Sequence, residues 1–114
     1  MTLRVLIVED EMTIALMIEN MVMDLGHEVV ELAMRLPRAI EVAREAEIDF
    51  AILDVNLDGR MSFPVADVLT ERGVPFVFAT GYGSAGIEGS YKGRPILSKP
   101  FGIGDLRSAL ERAA

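Results

Sequence analysis

Apolar positions recur along this chain with two alternating patterns. Arg4-Val-Leu-Ile-Val8 is a short, β-branched apolar run that ends at Glu9, Asp10 and Glu11, as a strand buried on both faces would. Next, Ile14, Met17, Ile18, Met21, Val22 and Leu25 are spaced by threes and fours and predict one face of a helix, with both methionines read as core filler. Gly26 follows and suits a left-handed C-cap. Glu28 to Ala33 reads as a second strand. A helix opened by Pro37 carries Ala39, Ile40, Ala43 and Ala46. Phe50-Ala-Ile-Leu53 is a third strand, ending at Asp54, and Val55 to Phe63 reads as a loop. A helix is predicted from Pro64 to Arg72, stopping at Gly73. Pro75 to Ala79 and Ile96 to Ser98 are the fourth and fifth strands. The last helix carries Ile103, Leu106, Ala109 and Leu110.

Strands alternating with helices imply a parallel sheet covered on both faces. Five such units in 114 residues predict a flavodoxin-like, doubly wound α/β domain, (βα)5, with strand order 2-1-3-4-5. One segment breaks the pattern. Gly81, Gly83, Gly86, Gly89 and Gly93 fall where a fourth helix belongs, and each glycine inside a helix costs ~1 kcal/mol. A short or mobile fourth helix is expected there.

Composition narrows the function. A net charge of −7 with scattered basic residues argues against nucleic-acid binding, which needs a cationic patch. No apolar run reaches the ~18 residues that span a bilayer. Cysteine is absent, so thiol chemistry and disulfides are excluded.

Ligands in such sheets bind beyond the carboxyl ends of the strands. There the sequence sets Glu9, Asp10 and Glu11, then Asp54, then Thr80 and Gly81, then Lys99 and Pro100. Clustered carboxylates repel unless a cation intervenes, and Mg2+ takes oxygen ligands of this kind. A carboxylate beside a metal, a lysine and a hydroxyl is equipped to form an acyl phosphate. Taken singly, each residue has a plainer reading. An aspartate at a strand end is a loop residue or cap, Glu11 complements a helix dipole, and Lys99 is a surface lysine. His27 reads as a surface or capping residue, and Asp58-Gly59 as a turn.

Leu6-Ile-Val-Glu-Asp-Glu11, Ile52-Leu-Asp-Val-Asn56, Ala79-Thr-Gly81 and Lys99-Pro-Phe101 together resemble the signatures of the two-component receiver family. The resemblance covers the whole chain. It implies that Asp54 accepts a phosphoryl group from a histidine kinase. It also implies that Asp10, Asp54 and the Asn56 carbonyl bind Mg2+, with Glu9 helping directly or through water. Thr80 and Lys99 would contact the phosphoryl group, Lys99 would pair with Asp54 beforehand, and the peptide before Pro100 would be cis. Pro75-Phe-Val-Phe-Ala-Thr-Gly-Tyr-Gly83 resembles the narrower PFxFATGY subgroup, often called FAT GUY, whose partners are often kinases of the HWE and related classes. Ile96 departs from the family, which commonly has an aromatic switch residue at that position. Activation is therefore expected to order Gly81 to Gly93 instead.

The expected organisation is one receiver over residues 1–114 with no output domain, cytoplasmic, a monomer or weak dimer, signalling to another protein and free of membrane and nucleic acid. Two alternatives stand beside it: a binding module that keeps only the fold, and an aspartyl-nucleophile phosphatase. Against the latter, Asn56 stands two residues after Asp54 where an acid is wanted.

Overall fold

The computed structural model describes residues 2–81, 87, 91, 94 and 96–113. Five parallel strands form the main sheet: β1 (Arg4–Val8), β2 (Glu28–Ala33), β3 (Phe50–Asp54), β6 (Phe76–Thr80) and β7 (Ile96–Ser98). Their order is β2-β1-β3-β6-β7, the order expected for a doubly wound sheet. Between β3 and β6 lies a two-stranded antiparallel hairpin, β4 (Asn56–Leu57) and β5 (Arg60–Met61). The helices among the described residues are α1 (Met12–Asp24), α2 (Leu36–Glu45), α3 (Phe63–Glu71) and α4 (Ile103–Ala113). None is long and apolar enough to cross a membrane. The short or mobile helix expected within Gly81 to Gly93 falls mostly on residues 82–86, 88–90 and 92–93, outside the described residues.

Strand side chains alternate between faces, and here both faces are covered. Val5, Ile7, Phe50, Ile52, Val77 and Ala79 pack with Ile18 and Val22 of α1 and Leu106 and Leu110 of α4. Leu6, Val8, Ala51, Leu53 and Phe78 pack with Ala39 and Val42 of α2 and Val65 and Leu69 of α3. That double burial is why β1 and β3 read as unbroken apolar runs. β2 is an edge strand. Its register with β1 jumps from Val5↔Val29 to Leu6↔Glu31, so Val30 is bulged out and exposed.

Four expectations are corrected. Met17 is 45% exposed, because the buried stripe of α1 is centred on Ala15, Ile18 and Val22. At 3.6 residues per turn Met17 lies about 130° from that centre. Ile103 opens α4 and is exposed, one turn before the helix meets the sheet at Leu106. The segment expected as a loop from Val55 to Phe63 holds the β4–β5 hairpin from Asn56 to Met61, and Phe63 opens α3, which begins and ends one residue earlier than predicted.

Backbone pins fix the ends. Gly26 takes φ +87°, as a left-handed C-cap requires. His27 Nδ1 accepts the Leu3 N–H at 3.0 Å, so the histidine is a structural cap. Asp49 accepts the Arg4 N–H at 2.8 Å while its own N–H donates to the Arg4 carbonyl at 2.7 Å, which aligns the start of β1 with the approach to β3.

Candidate functional site

The carboxyl ends of β1, β3, β6 and β7 meet at an open cleft of about 510 Å³, lined by Asp10, Asp54, Asn56, Thr80 and Lys99 among others. Strand pairing places them. β1 and β3 are neighbours, so Val8↔Leu53 brings the chain leaving β1 beside Asp54. β6 flanks β3 on the other side, with Asp54↔Ala79 putting Thr80 one residue beyond. β7 lies against β6 through Thr80↔Ser98, and the Lys99 N–H donates to the Thr80 carbonyl at 2.8 Å. The Lys99–Pro100 peptide is cis.

Glu9 is buried behind the cleft rather than lining it, with only 1% of its side chain exposed. Both of its oxygens are engaged. Oε1 accepts Lys99 Nζ at 2.6 Å, and Oε2 accepts the Glu11 N–H at 3.1 Å. Lys99 Nζ is also 3.4 Å from Asp54 Oδ1. The lysine expected to pair with Asp54 therefore bridges two carboxylates, with the shorter contact to Glu9.

Ligand oxygens of Glu9, Asp10 and Asp54 all lie within 4.8 Å of one another. Three acids around one ammonium leave an excess of negative charge. Burial, then the charge of Glu9, pushes the Asp54 carboxyl up to about 7 against the opposing pull of Lys99. Burial disfavours the Lys99 ammonium, but its hydrogen bond to Glu9 and the charge of Asp54 outweigh this and hold it above the ordinary lysine value. An all-oxygen donor set with surplus negative charge fits a hard divalent cation.

The hairpin adds to this set. Its two-residue turn has Asp58 at φ +52° and Gly59 at φ +87°, the left-handed pair a tight hairpin needs. Leu57↔Arg60 flank the turn, and the Ser62 N–H donates to the Val55 carbonyl at 2.9 Å. Asn56↔Met61, between them, is thus the non-hydrogen-bonded pair. The hairpin ladder leaves the Asn56 carbonyl unused, and Asn56 lines the cleft. Its side-chain Oδ1 instead accepts the Gly59 N–H at 2.7 Å and closes the turn.

All six residues singled out in the sequence, Glu9, Asp10, Asp54, Asn56, Thr80 and Lys99, thus gather at one place. The cleft also holds Ile14, Val55, Asp58 and Met61. Sequence reading placed the Asp58-Gly59 turn close enough to Asp54 to influence access to the site, and the lining confirms it for Asp58, but gave Ile14, Val55 and Met61 no role there.

A model of the response regulator receiver domain matches residues 5–111. The chain is 32% identical over 120 residues to the phyllosphere-induced regulator PhyR of Methylorubrum extorquens, covering 99% of this chain and 44% of PhyR. It is 32% identical over 114 residues to the transcriptional regulatory protein PdtaR of Mycobacterium tuberculosis, covering 96% and 56%. The chain spans about half the length of these curated relatives. SdrG from Sphingomonas melonis Fr1 superposes with a TM-score of 0.87 at 39% identity, covering 98% of this chain and 96% of SdrG. The solved BeF3-activated conformation of SdrG superposes at 0.80, covering 95% and 92%. With a matched fold and a family model spanning nearly every residue, the chain belongs to the response regulator receiver domain family.

Proposed function

We propose that this receiver takes a phosphoryl group on Asp54 from the phosphohistidine of a sensor histidine kinase and signals by phosphorylation-dependent protein contact or onward transfer. The observation that carries the reading is the set at the end of β3. Asp54 has Lys99 Nζ 3.4 Å from Oδ1, inside a group of three carboxylates whose ligand atoms lie within 4.8 Å. An Asp54 oxygen attacks phosphorus, the P–N bond to imidazole breaks, and the freed imidazole nitrogen takes a proton from solvent. Asp10, Asp54 and the Asn56 carbonyl would hold Mg2+, with Glu9 acting through water because both its oxygens are occupied. When bound, the ion supplies positive charge against the transferring phosphoryl oxygens. Lys99, already at the mouth of Asp54, supplies a second positive charge, and Thr80 donates its hydroxyl to the phosphoryl group.

The chain catalyses only its own phosphorylation and dephosphorylation, in the cytoplasm. Pro75 to Gly83 supports membership of the PFxFATGY subgroup and a kinase of the HWE class. The BeF3-activated conformation solved for SdrG supports a phosphoryl-driven change in this chain too. Intact-mass spectrometry after incubation with acetyl phosphate and Mg2+ tests the reading. An adduct of about 80 Da, one phosphoryl group on a carboxylate, is expected in wild type and absent in Asp54→Asn. No adduct in wild type would overturn it.

A further inference from the structure

Met61 brings the hairpin to the cleft. It lines the same opening as Asp10, Asp54 and Lys99, beside the apolar Ile14 and Val55, and this large apolar side chain stays 37% exposed. The hairpin has another way to bury apolar surface, and Leu57 uses it at 2% exposure. Nor is Met61 held loosely. Its position is fixed by the Asp58-Gly59 turn, by the Asn56 Oδ1 bond to Gly59 at 2.7 Å, and by the Ser62–Val55 bond at 2.9 Å that closes the hairpin behind it. In a non-hydrogen-bonded pair the facing Cβ atoms approach to about 4.5–5.5 Å, so Met61 sits against Asn56, whose amide oxygen is already committed to the turn.

An acyl phosphate on Asp54 is lost when a water oxygen attacks phosphorus. The P–O bond to Asp54 breaks, the carboxylate is regenerated, and inorganic phosphate leaves while the water's protons pass to phosphate and solvent. The attacking water must approach from the side away from Asp54. A thioether neither donates nor accepts strongly, so a methionine standing in that approach would exclude water without orienting one. We propose that Met61, presented by the β4–β5 hairpin, shields the acyl phosphate and sets its lifetime. This rests on Asp54 being the phosphoacceptor.

The test is a decay measurement. Full-length protein is phosphorylated with phosphoramidate and Mg2+, the donor is removed, and the adduct is followed by intact mass. Met61→Ala should load to the same extent and lose its adduct about 3- to 10-fold faster, a barrier change of up to about 1.4 kcal/mol. Met61→Gln, of similar length but able to hydrogen-bond water, should also shorten the lifetime, while Met61→Leu should stay within about twofold of wild type. Full loading of all three with wild-type decay overturns the shield while leaving Asp54 as acceptor. Absence of any adduct in wild type overturns the acceptor reading and the shield with it.

Discussion

Lys99 carries two obligations at once. Its ammonium neutralises Glu9, a side chain 1% exposed, and reaches Asp54. Removing one partner of a buried pair strands the other as an unpaired charge, at about 3–5 kcal/mol when burial is complete. Lys99 is 18% exposed, so Lys99→Ala is expected to cost somewhat less, about 2–3 kcal/mol, read as a lower urea midpoint. Asp54 works in the opposite direction. Without metal its carboxyl is held at about 7 against an ordinary 3.8. The folded state then binds a proton that the unfolded state releases. The associated stability is fully present below about pH 4 and is lost as pH rises through 7. Metal-free wild type should lose stability across that window, whereas Asp54→Asn should lose less. After allowance for solvent screening, the variant should be more stable at pH 8 by about 1–2 kcal/mol in chelator-treated protein. Equal slopes in the two proteins would refute the assignment. Asp49, lowered by its hydrogen bonds from the Arg4 side chain and backbone, titrates below 3.8 and leaves this window clear.

Among the elements, the inner strands β1, β3 and β6 were legible because burial on both faces leaves continuous apolar runs. The hairpin was not, since strands of two residues are too short for any period to register. Only Asp58-Gly59 hinted at it, as a turn without its strands. The same limit hid Met61 and Ile14, whose approach to the site depends on hairpin register and helix placement. Pairings across the fold were equally hidden. Lys99 and Glu9 are ninety positions apart, and no local pattern announces their bond. Tyr91 is a further case. Its ring stacks on Phe63 and meets Phe76 and Phe78 edge-on, and its hydroxyl donates to Asp67 of α3 at 2.6 Å. Ile96, where the family commonly has an aromatic, packs against this same face of the core. Tyr91→Phe keeps the ring and removes one bond to a carboxylate, so a loss of about 1–2 kcal/mol is expected by chemical denaturation. In the hairpin, Gly59→Ala imposes a side chain at φ +87° with open space around it. The cost is conformational, about 1 kcal/mol, and loosening the turn should weaken Mg2+ binding through the Asn56 carbonyl.

At the scale of the molecule, the site exists only when the sheet is complete. Three of its strand ends come from the adjacent strands β1, β3 and β6, and the fourth from the edge strand β7. An unfolded chain scatters these groups along 91 positions, from Glu9 to Lys99, so a cation that needs Asp10 and Asp54 together binds the folded state alone. Such a ligand stabilises by mass action, by about 2.7 kcal/mol at a hundredfold excess over its dissociation constant. For a domain of this size that corresponds to a rise in Tm on the order of 10 °C. Thermal unfolding across a Mg2+ series should show Tm climbing with the logarithm of concentration. Asp10→Asn removes a ligand oxygen's charge and one source of repulsion together. It should therefore abolish most of the increment without lowering the Tm of the metal-free protein. A wild-type Tm indifferent to Mg2+, or an Asp10→Asn protein that climbs as steeply, would mean that the gathered carboxylates hold no cation and that Lys99 alone balances their charge.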